Sequence, residues 1–138
     1  MLMYKHFDFC ALNHFPSLIF CAKHERILAQ NGIYVNACVD LQGHNNKYIL
    51  LGNTHATLEI SAHPTAILYM KDRSFLRVEG SDLAIVMIEA YDNAEIQMEI
   101  SGEARAIVRL HQEAQLYCEE TKNIRIIRHE REGHNIQD

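Results

Sequence analysis

The sequence predicts a mostly β protein, a parallel β-solenoid of about four rungs with an N-terminal capping α-helix. Between Thr54 and Arg128, a small residue followed by alternating apolar positions returns every eight to ten residues. Turn-forming pairs such as Lys71-Asp72 and Asp92-Asn93 separate the copies. Alternation is typical of strands with one buried face, and short strands at a nearly fixed period indicate a repeat fold.

Each copy supplies one small residue and two apolar positions, the second and the fourth after it. The small residues are Ala56, Ala66, Ser74, Ala84, Ala94, Ala104, Ala114 and Asn123. The last copy slips and offers Ile124 and Ile126 one place early. In a solenoid, the small residue is expected where the chain bends at a corner, since a bulky side chain would clash with its neighbours there.

A meander of hairpins is the alternative use of the same pattern. Tight reversals favour Asn-Gly or Asp-Gly connections, and the nearest approaches between the copies are Gly80-Ser81 and Ser101-Gly102. The solenoid, in which each strand stacks in parallel on its equivalent one rung away, is therefore favoured. A two-sided rung and a three-sided rung with shorter strands both remain open.

The chain is expected to have three parts: an N-terminal cap over 1–53, solenoid repeats over 54–128 and a polar tail over 129–138. Within the cap, a helix over about 16–31 begins near Pro16 and ends at Asn31-Gly32. Its apolar side carries Phe20, Cys21, Ile27 and Leu28. Strands follow over about 33–41 and 47–52, the first of them alternating without a break.

Alternate copies share an outer face if two copies make one rung. One outer face is then mostly polar, and the other carries an apolar stripe that comprises Ile67, Tyr69, Ile85, Met87 and Ile107. An apolar stripe on the outside of a coil should be covered, here by the helix or by a partner subunit. We therefore expect a non-enzymatic structural or protein-interaction module, either a homo-oligomer formed through this face or a binder of another protein.

The segment from Glu89 to Ile96, with Gly102 to Val108 behind it, resembles the Ala-Tyr-Asp-x-Ala-x-Val repeats of uncharacterised bacterial and prophage-encoded proteins. Bactofilin-type polymers are a looser architectural analogue. The resemblance covers about half of the chain and implies a β-solenoid, without catalytic residues to carry over.

Saccharide binding or polysaccharide processing along the polar face is the alternative function. Parallel β-helices often act on saccharides with rows of aromatic and acidic side chains. The corresponding residues here would be Glu59, Phe75, Glu95 and Tyr117. This hypothesis rests on analogy between folds.

A zinc site near the N-terminus is the third hypothesis. Four candidate ligands lie within fifteen residues, namely Cys10, His14, Cys21 and His24. The paired Cys-x2-4-Cys knuckle is missing, and Cys21 lies in an apolar run where a free cysteine is an ordinary core residue. Packing is therefore the favoured interpretation of this cluster.

Two further patterns have the residue types of a binding site. His55, Glu59 and His63 recur at intervals of four, yet they are interpreted as surface residues of a strand and its turn. Asp72, Asp82 and Asp92 recur every ten residues, but calcium-binding repeats also need glycine at fixed places. The three aspartates are therefore expected to cap corners.

Composition excludes several classes of function. The net charge of −5 argues against a nucleic-acid surface, and the apolar run from Phe15 to Ala22 is too short to span a bilayer. Four cysteines without framework spacing favour a reduced, cytoplasmic protein. The sequence contains no nucleophile elbow, phosphate loop or dinucleotide fingerprint, and no cofactor is predicted.

Overall fold

The computed structural model describes residues 31–41, 46–61 and 65–129. All regular structure in these residues is β. The strands are β1 (Ile33–Val35), β2 (Cys38–Leu41), β3 (Lys47–Leu51), β4 (His55–Ile60), β5 (Thr65–Met70), β6 (Phe75–Gly80), β7 (Ile85–Ala90), β8 (Glu95–Ile100), β9 (Arg105–Leu110), β10 (Gln115–Tyr117) and β11 (Ile124–Arg128).

The strands form two parallel sheets in which each strand pairs with the next but one. We call them the odd sheet, in the order β1-β3-β5-β7-β9-β11, and the even sheet, in the order β2-β4-β6-β8-β10. The chain thus passes from one sheet to the other after every strand, which is a coil with two strands in each rung. The predicted parallel β-solenoid is confirmed, and the hairpin alternative is wrong.

The core lies between the two sheets and consists of the inward side chains of every strand. In the odd sheet, Leu68 pairs with Ile88 and Ile88 pairs with Val108, and each is at most 2% exposed. The even sheet meets them with Leu76, Val78 and Ile96, which are fully buried. Each such side chain contributes roughly 1.5–3 kcal/mol of hydrophobic stabilisation before entropy is subtracted, so the stacked rungs share one apolar column.

The corners between strands are four-residue turns with one residue in the left-handed region. At the corner after β7, the Ala94 nitrogen donates to the Tyr91 oxygen at 3.2 Å, and Asp92 has φ of 59°. Glycine adopts a positive φ without steric cost, and aspartate and asparagine tolerate it better than other residues do. Gly52 and Gly102, with φ of 65° and 63°, occupy the same position at other corners.

The small residues predicted for the corners are placed correctly in most copies and wrongly in two. Ala84, Ala94, Ala104 and Ala114 end their turns and are fully buried. Ala56 and Ala66 instead lie inside strands and face the core, where they pair with Leu76 and Val86. In the first of these copies the turn ends at Thr54, two residues before Ala56. The prediction was wrong because an alanine that faces the core and an alanine at a corner cannot be distinguished in the sequence.

The stretch predicted as one strand over 33–41 forms two strands in different sheets. Asn36 has φ of 50° and turns the chain between β1 and β2. The corner is short, so the alternation of apolar residues continues across it. The predicted strand over 47–52 corresponds to β3, and β1 to β3 extend the same two sheets that the repeats form.

The last rung is shorter than the middle rungs, in agreement with the predicted slip. Ile124 pairs with Ala106, eighteen residues earlier, whereas pairs such as Met87 and Ile107 are twenty residues apart. The predicted helix over 16–31 lies outside the described residues except for Asn31, and the tail over 129–138 lies outside them except for His129. In the described ranges, no helix has the length and hydrophobicity needed to cross a membrane.

Candidate functional site

The outer face of the odd sheet brings together the five residues predicted to form an interface. Met87 pairs with Ile67 on one side and with Ile107 on the other, so the three make one column across β5, β7 and β9. Ile85 and Tyr69 lie beside this column on the same face. Ile85 is 40% exposed and Met87 is 38% exposed, whereas Ile67, Tyr69 and Ile107 are half-buried. We call these five residues the apolar stripe.

The same face is buried at its N-terminal rungs. Ile33 and Ile49 pair in register with the outward-facing Tyr69, and both are fully buried. With Val35, Leu51 and Tyr91 they form a second apolar cluster, separate from the core, and Tyr69 packs against it. The outer face of the odd sheet is therefore covered at β1 and β3 and becomes open at β7.

The two outer faces carry opposite charge. On the odd sheet the outward charged residues are Lys47, Glu89, Arg105, Arg109 and Arg125. On the even sheet they are Asp40, Glu59, Arg77, Glu79, Glu95 and Glu99. The apolar stripe therefore lies on the positively charged side of the coil, and arginines surround its C-terminal end.

A stacked column of rings lies at the edge of this face, at the corners that lead from the odd sheet to the even sheet. The Tyr91 and His111 rings are 4.2 Å apart and nearly parallel, and His111 stacks in the same way on His129 at 4.2 Å. Glu89 Oε2 lies 2.9 Å from His111 Nε2 and accepts a hydrogen bond from the Tyr91 hydroxyl at 3.2 Å. The column therefore joins three successive rungs.

The hydrogen bond with His111 lowers the pKa of the Glu89 carboxyl below its ordinary value of 4.5. Burial opposes this effect, and the charge of His111, the Tyr91 hydroxyl and the charge of Arg109 assist it. This cluster has the composition of an acid–base pair. However, its hydrogen bonds connect side chains of neighbouring rungs, and we interpret it as a structural contact that stabilises the stacking of the rungs.

Two of the three aspartates that recur in the sequence cap the corners between the odd sheet and the even sheet, as expected. Asp72 Oδ2 accepts a hydrogen bond from the Gly52 nitrogen at 2.9 Å, and Asp92 Oδ2 accepts one from the Asp72 nitrogen at 3.1 Å. Lys71, which is 6% exposed, places Nζ 3.1 Å from Asp72 and 3.7 Å from Asp92. Asp82 lies at the opposite corner. The capping interpretation is confirmed for Asp72 and Asp92.

The four residues of the saccharide hypothesis lie on the outer face of the even sheet, where they are distributed over three columns. Phe75 pairs with Glu95, Glu59 belongs to the column of Glu79 and Glu99, and Tyr117 pairs with Gln97. A groove of about 620 Å³ runs beside Tyr117, which is 52% exposed. Its lining includes Arg77, Glu79, Gln97, Glu99, Tyr117 and Glu119.

The proposed metal ligands are not brought together in the part of the chain that the structure describes. His55 and Glu59 face outward on β4, and the His55 ring lies 5.7 Å from that of Phe75. His63, Cys10, His14, Cys21 and His24 lie outside the described residues. Within the described residues, no group of three or more His, Cys, Asp or Glu side chains could hold a metal ion. The zinc site stays a prediction.

The sequence did not predict the stacked rings of Tyr91, His111 and His129, nor the hydrogen bonds of Glu89 with Tyr91 and His111. Tyr91 and His111 are twenty residues apart in the sequence. Their contact can be predicted only if the length of a rung is known to be twenty residues. His129 joins them through the shorter last rung, and the periodicity of the earlier copies does not predict that step. The signal in the sequence was the recurrence of aromatic residues immediately before a turn.

No protein-family model, curated protein or solved structure matches this chain. The β-solenoid fold therefore rests on the strand order and register described above. The resemblance to Ala-Tyr-Asp-x-Ala-x-Val repeat proteins and to bactofilin-type polymers stays a prediction beyond that fold.

Proposed function

We propose that this protein is a non-enzymatic structural or protein-interaction module that self-associates through the apolar stripe. The observation that carries the proposal is the exposure of Ile85 and Met87 on a sheet face of regular register whose N-terminal part is already buried. Burial of exposed apolar side chains against a partner is favourable because it removes apolar surface from water. The sheet already fixes the backbone that carries these side chains, so association costs little conformational entropy.

The size of the stripe bears on how tightly it would bind. Three strands at about 4.8 Å spacing and six residues at about 3.3 Å rise cover roughly 300 Å². A standard stable interface buries about 800 Å² on each partner. Association through the stripe alone should therefore be weak, with a monomer–dimer equilibrium in the micromolar range or above.

Sedimentation equilibrium across micromolar concentrations tests the proposal. The parent protein should show a mass that rises with concentration, and Met87→Lys should stay monomeric because the ammonium group would be desolvated among apolar side chains. Gln97→Lys is the matched control, since Gln97 is outward-facing and exposed on the opposite sheet. A parent that remains monomeric, or a Met87→Lys variant that still associates, would overturn the proposal.

We infer that the predicted helix over 16–31 covers the other part of the same face. The support is the burial of Ile33, Val35, Ile49 and Leu51, which point outward and not into the core. If so, Leu28→Glu should lower the free energy of unfolding by about 2 kcal/mol or more, because the proposal places Leu28 on the side of the helix that faces the sheet, where a carboxylate would lose its water. Lys23→Glu, on the expected polar side, should change it by less than about 0.5 kcal/mol.

Saccharide binding on the even sheet is the second candidate, supported by the groove beside the exposed Tyr117. A glycan array and a Tyr117→Ala control address it, and the absence of any hit would dismiss it. The cytoplasm remains the compartment that we propose, in keeping with the free thiols of Cys38 and Cys118.

A further inference from the structure

The even sheet loses half of its strand pairing beyond β8. β6 and β8 pair over six residues, and the last pair is Gly80 with Ile100. β8 and β10 pair over three residues, and the last pair is Gln97 with Tyr117. Within the described part of the chain, residues 98–100 of β8 therefore have a strand neighbour on one side only.

Backbone groups of Met98 and Ile100 point toward the side that lacks a neighbour. The Ala94 oxygen accepts a hydrogen bond from the Gln115 nitrogen at 3.0 Å, so Ala94 directs its carbonyl group toward the following rung. Every second residue of a strand directs its N–H and C=O groups to the same side. Met98 and Ile100 are the second and third such residues after Ala94, and they present these groups to the open side.

The turn that follows these strands shows which hydrogen bond is missing. At two earlier turns the first N–H after the strand donates to the last carbonyl of the strand in the rung before it: Ser81 to Ile60 at 3.0 Å and Ser101 to Gly80 at 2.9 Å. Thr121 is the next residue of this series, and its nitrogen makes no such bond to the Ile100 oxygen. An unpaired strand edge of this kind is a template for pairing with another strand.

A groove occupies the space that the missing pairing leaves. It is the groove of about 620 Å³ beside Tyr117, and its lining includes residues 98–101 together with residues 117–120. These two stretches would pair with each other if β10 were as long as β8. The open strand edge is therefore part of the wall of a groove and not of a flat surface.

The outward side of this groove is acidic. Glu79 and Glu99 pair in register on neighbouring strands, and Glu119 and Glu120 line the same groove. Arg77, whose Nη2 lies 3.6 Å from Glu79 Oε2, is the one basic residue among the described residues of the lining. Lysine or arginine side chains of a ligand would complement these carboxylates.

The inward side of the groove is apolar. Val78 and Met98 are buried core residues, Ile100 is half-buried against the same core, and all three line the groove. Successive side chains of an extended peptide point to opposite sides. A peptide paired with this edge would therefore direct one set of its side chains toward the carboxylates and the other set toward Met98 and Ile100.

We propose that this groove binds an extended segment of another protein in which basic and apolar residues alternate, added as a strand parallel to β8. The oxygens of Met98 and Ile100 accept its N–H groups. Strand addition of this kind draws affinity from main-chain hydrogen bonds and specificity from alternate side chains. A saccharide has no row of N–H groups at the spacing of a strand. The proposal does not depend on self-association, because the apolar stripe lies on the odd sheet.

Fluorescence anisotropy of the labelled peptide Lys-Val-Lys-Val-Lys-Val-Lys, titrated with the full-length protein, tests the proposal. The parent should bind this peptide saturably. Glu99→Lys should weaken the binding about tenfold or more, because it replaces an attractive contact by a repulsive one.

Glu95→Lys is the matched control, since Glu95 lies on the same strand and the same face but not among the lining residues of the groove. Four residues along a strand separate it from Glu99 by about 13 Å, which exceeds the Debye length of about 8 Å at physiological salt. Glu95→Lys should therefore bind the peptide within about twofold of the parent.

A second peptide separates strand pairing from charge attraction. In each rung the outward residues donate to the rung before, as the Glu95 nitrogen does to the Ser74 oxygen at 3.0 Å. The lysines of the bound peptide correspond to these outward residues. N-methylation of their backbone nitrogens should therefore abolish binding, although the charge of the peptide is unchanged.

Each outcome decides the matter. A parent that does not bind the first peptide would overturn the proposal, as would an equal loss in Glu95→Lys or equal binding of the N-methylated peptide. A glycan that binds the parent but not Glu99→Lys, while the peptide binds neither, would assign the groove to saccharides. Both variants replace exposed side chains, so their circular dichroism should match that of the parent. Binding that Glu99→Lys and N-methylation weaken, and that Glu95→Lys leaves unchanged, supports the proposal.

Discussion

Asp92 Oδ2 lies 3.1 Å from the backbone nitrogen of Asp72, twenty residues earlier, and accepts its hydrogen bond. The same contact recurs at the equivalent corners of the neighbouring rungs. The Asp72 side chain accepts a hydrogen bond from the Gly52 nitrogen, and the Gln112 side chain accepts one from the Asp92 nitrogen at 2.7 Å. Each capping residue has a positive φ that is uncommon outside glycine. The hydrogen bond to the previous rung therefore offsets the backbone strain of the turn.

This relationship predicts different costs for two aspartates with the same backbone conformation. Asp92→Ala should lower the free energy of unfolding by about 2–3 kcal/mol, because it leaves the left-handed strain in place and removes a bond to a part-buried N–H. Asp82→Ala, with the same φ of 59° but an exposed side chain at the other corner, should cost about 1 kcal/mol. Urea unfolding measures both, and equal losses would show that the carboxylate bond contributes nothing.

The pair formed by Glu89 and His111 predicts a dependence of stability on pH. The pKa of Glu89 is lower in the folded chain than its ordinary 4.5, so its contribution to stability is fully present above that value. The contribution is lost as the pH falls through the lower, folded pKa. Glu89→Gln should therefore be less stable than the parent by about 1 kcal/mol at neutral pH, and the gap should close below pH 4.5.

Urea unfolding at a series of pH values measures that gap. Glu99→Gln is the control, because Glu99 is an exposed carboxylate on the even sheet with no hydrogen-bond partner among the described residues. A gap between the parent and Glu89→Gln that stays constant from neutral to acidic pH would contradict the assigned role of the His111 contact.

The sequence predicts those features of the fold that depend on neighbouring residues, and it does not predict those that depend on pairing between rungs. Alternation places Leu76 and Val78 in the core because the period of a strand is two residues, whatever the topology. The position of Ala56 inside a strand, and not at a corner, could not be predicted, because it depends on pairing with Leu76 in another rung. The stripe from Ile67 to Ile107 was predictable once two copies were assigned to a rung.

The polar contacts at the corners were not predictable from the sequence alone. The hydrogen bonds of the Arg128 guanidinium to the Gln112 and Ala114 oxygens depend on the last rung being two residues shorter than the middle rungs. The burial of Ile49 on an outer face was hidden for a different reason, because an apolar residue in a strand gives no sign of which layer covers it.

Thr54 and Ser74 occupy equivalent corner positions and should respond differently to loss of their hydroxyl groups. The buried Thr54 hydroxyl donates to the Leu51 oxygen at 2.7 Å and accepts from the Ala37 nitrogen at 3.2 Å. Thr54→Val keeps the shape but leaves both groups without that partner, and we expect a loss of about 1–3 kcal/mol. Ser74 donates only to the Lys71 oxygen at 2.9 Å.

Ser74→Ala should therefore change the free energy of unfolding by less than about 1 kcal/mol. Ala84, Ala94, Ala104 and Ala114 already serve at the equivalent position without a hydroxyl. Thermal or urea unfolding of the two variants decides the comparison. A larger loss in Ser74→Ala than in Thr54→Val would show that the Ala37 contact does not matter.

Gly52 and Gly80 form a second matched pair. Both are buried, but only Gly52 has a positive φ, which favours glycine. Gly52 has φ of 65°, and an added methyl group would collide with the Asn36 amide oxygen, which already accepts from the Asn53 nitrogen at 2.8 Å. Strain and collision act together there. Gly52→Ala should therefore lower the free energy of unfolding by about 2 kcal/mol or more.

Gly80 has no positive φ, and its added methyl group would meet the Ile100 side-chain tip at 3.0 Å, with Ala104 and Ile60 each at 3.8 Å. Ile100 is half-buried at the end of its strand and its tip can shift by a few tenths of an ångström. The loss of unfolded-state entropy on replacing glycine favours alanine by about 0.4–1 kcal/mol, which offsets the crowding. Gly80→Ala should thus stay within about 1 kcal/mol of the parent in urea unfolding, whereas a loss as large as that of Gly52→Ala would mean that the end of the core beside Ile100 is rigid.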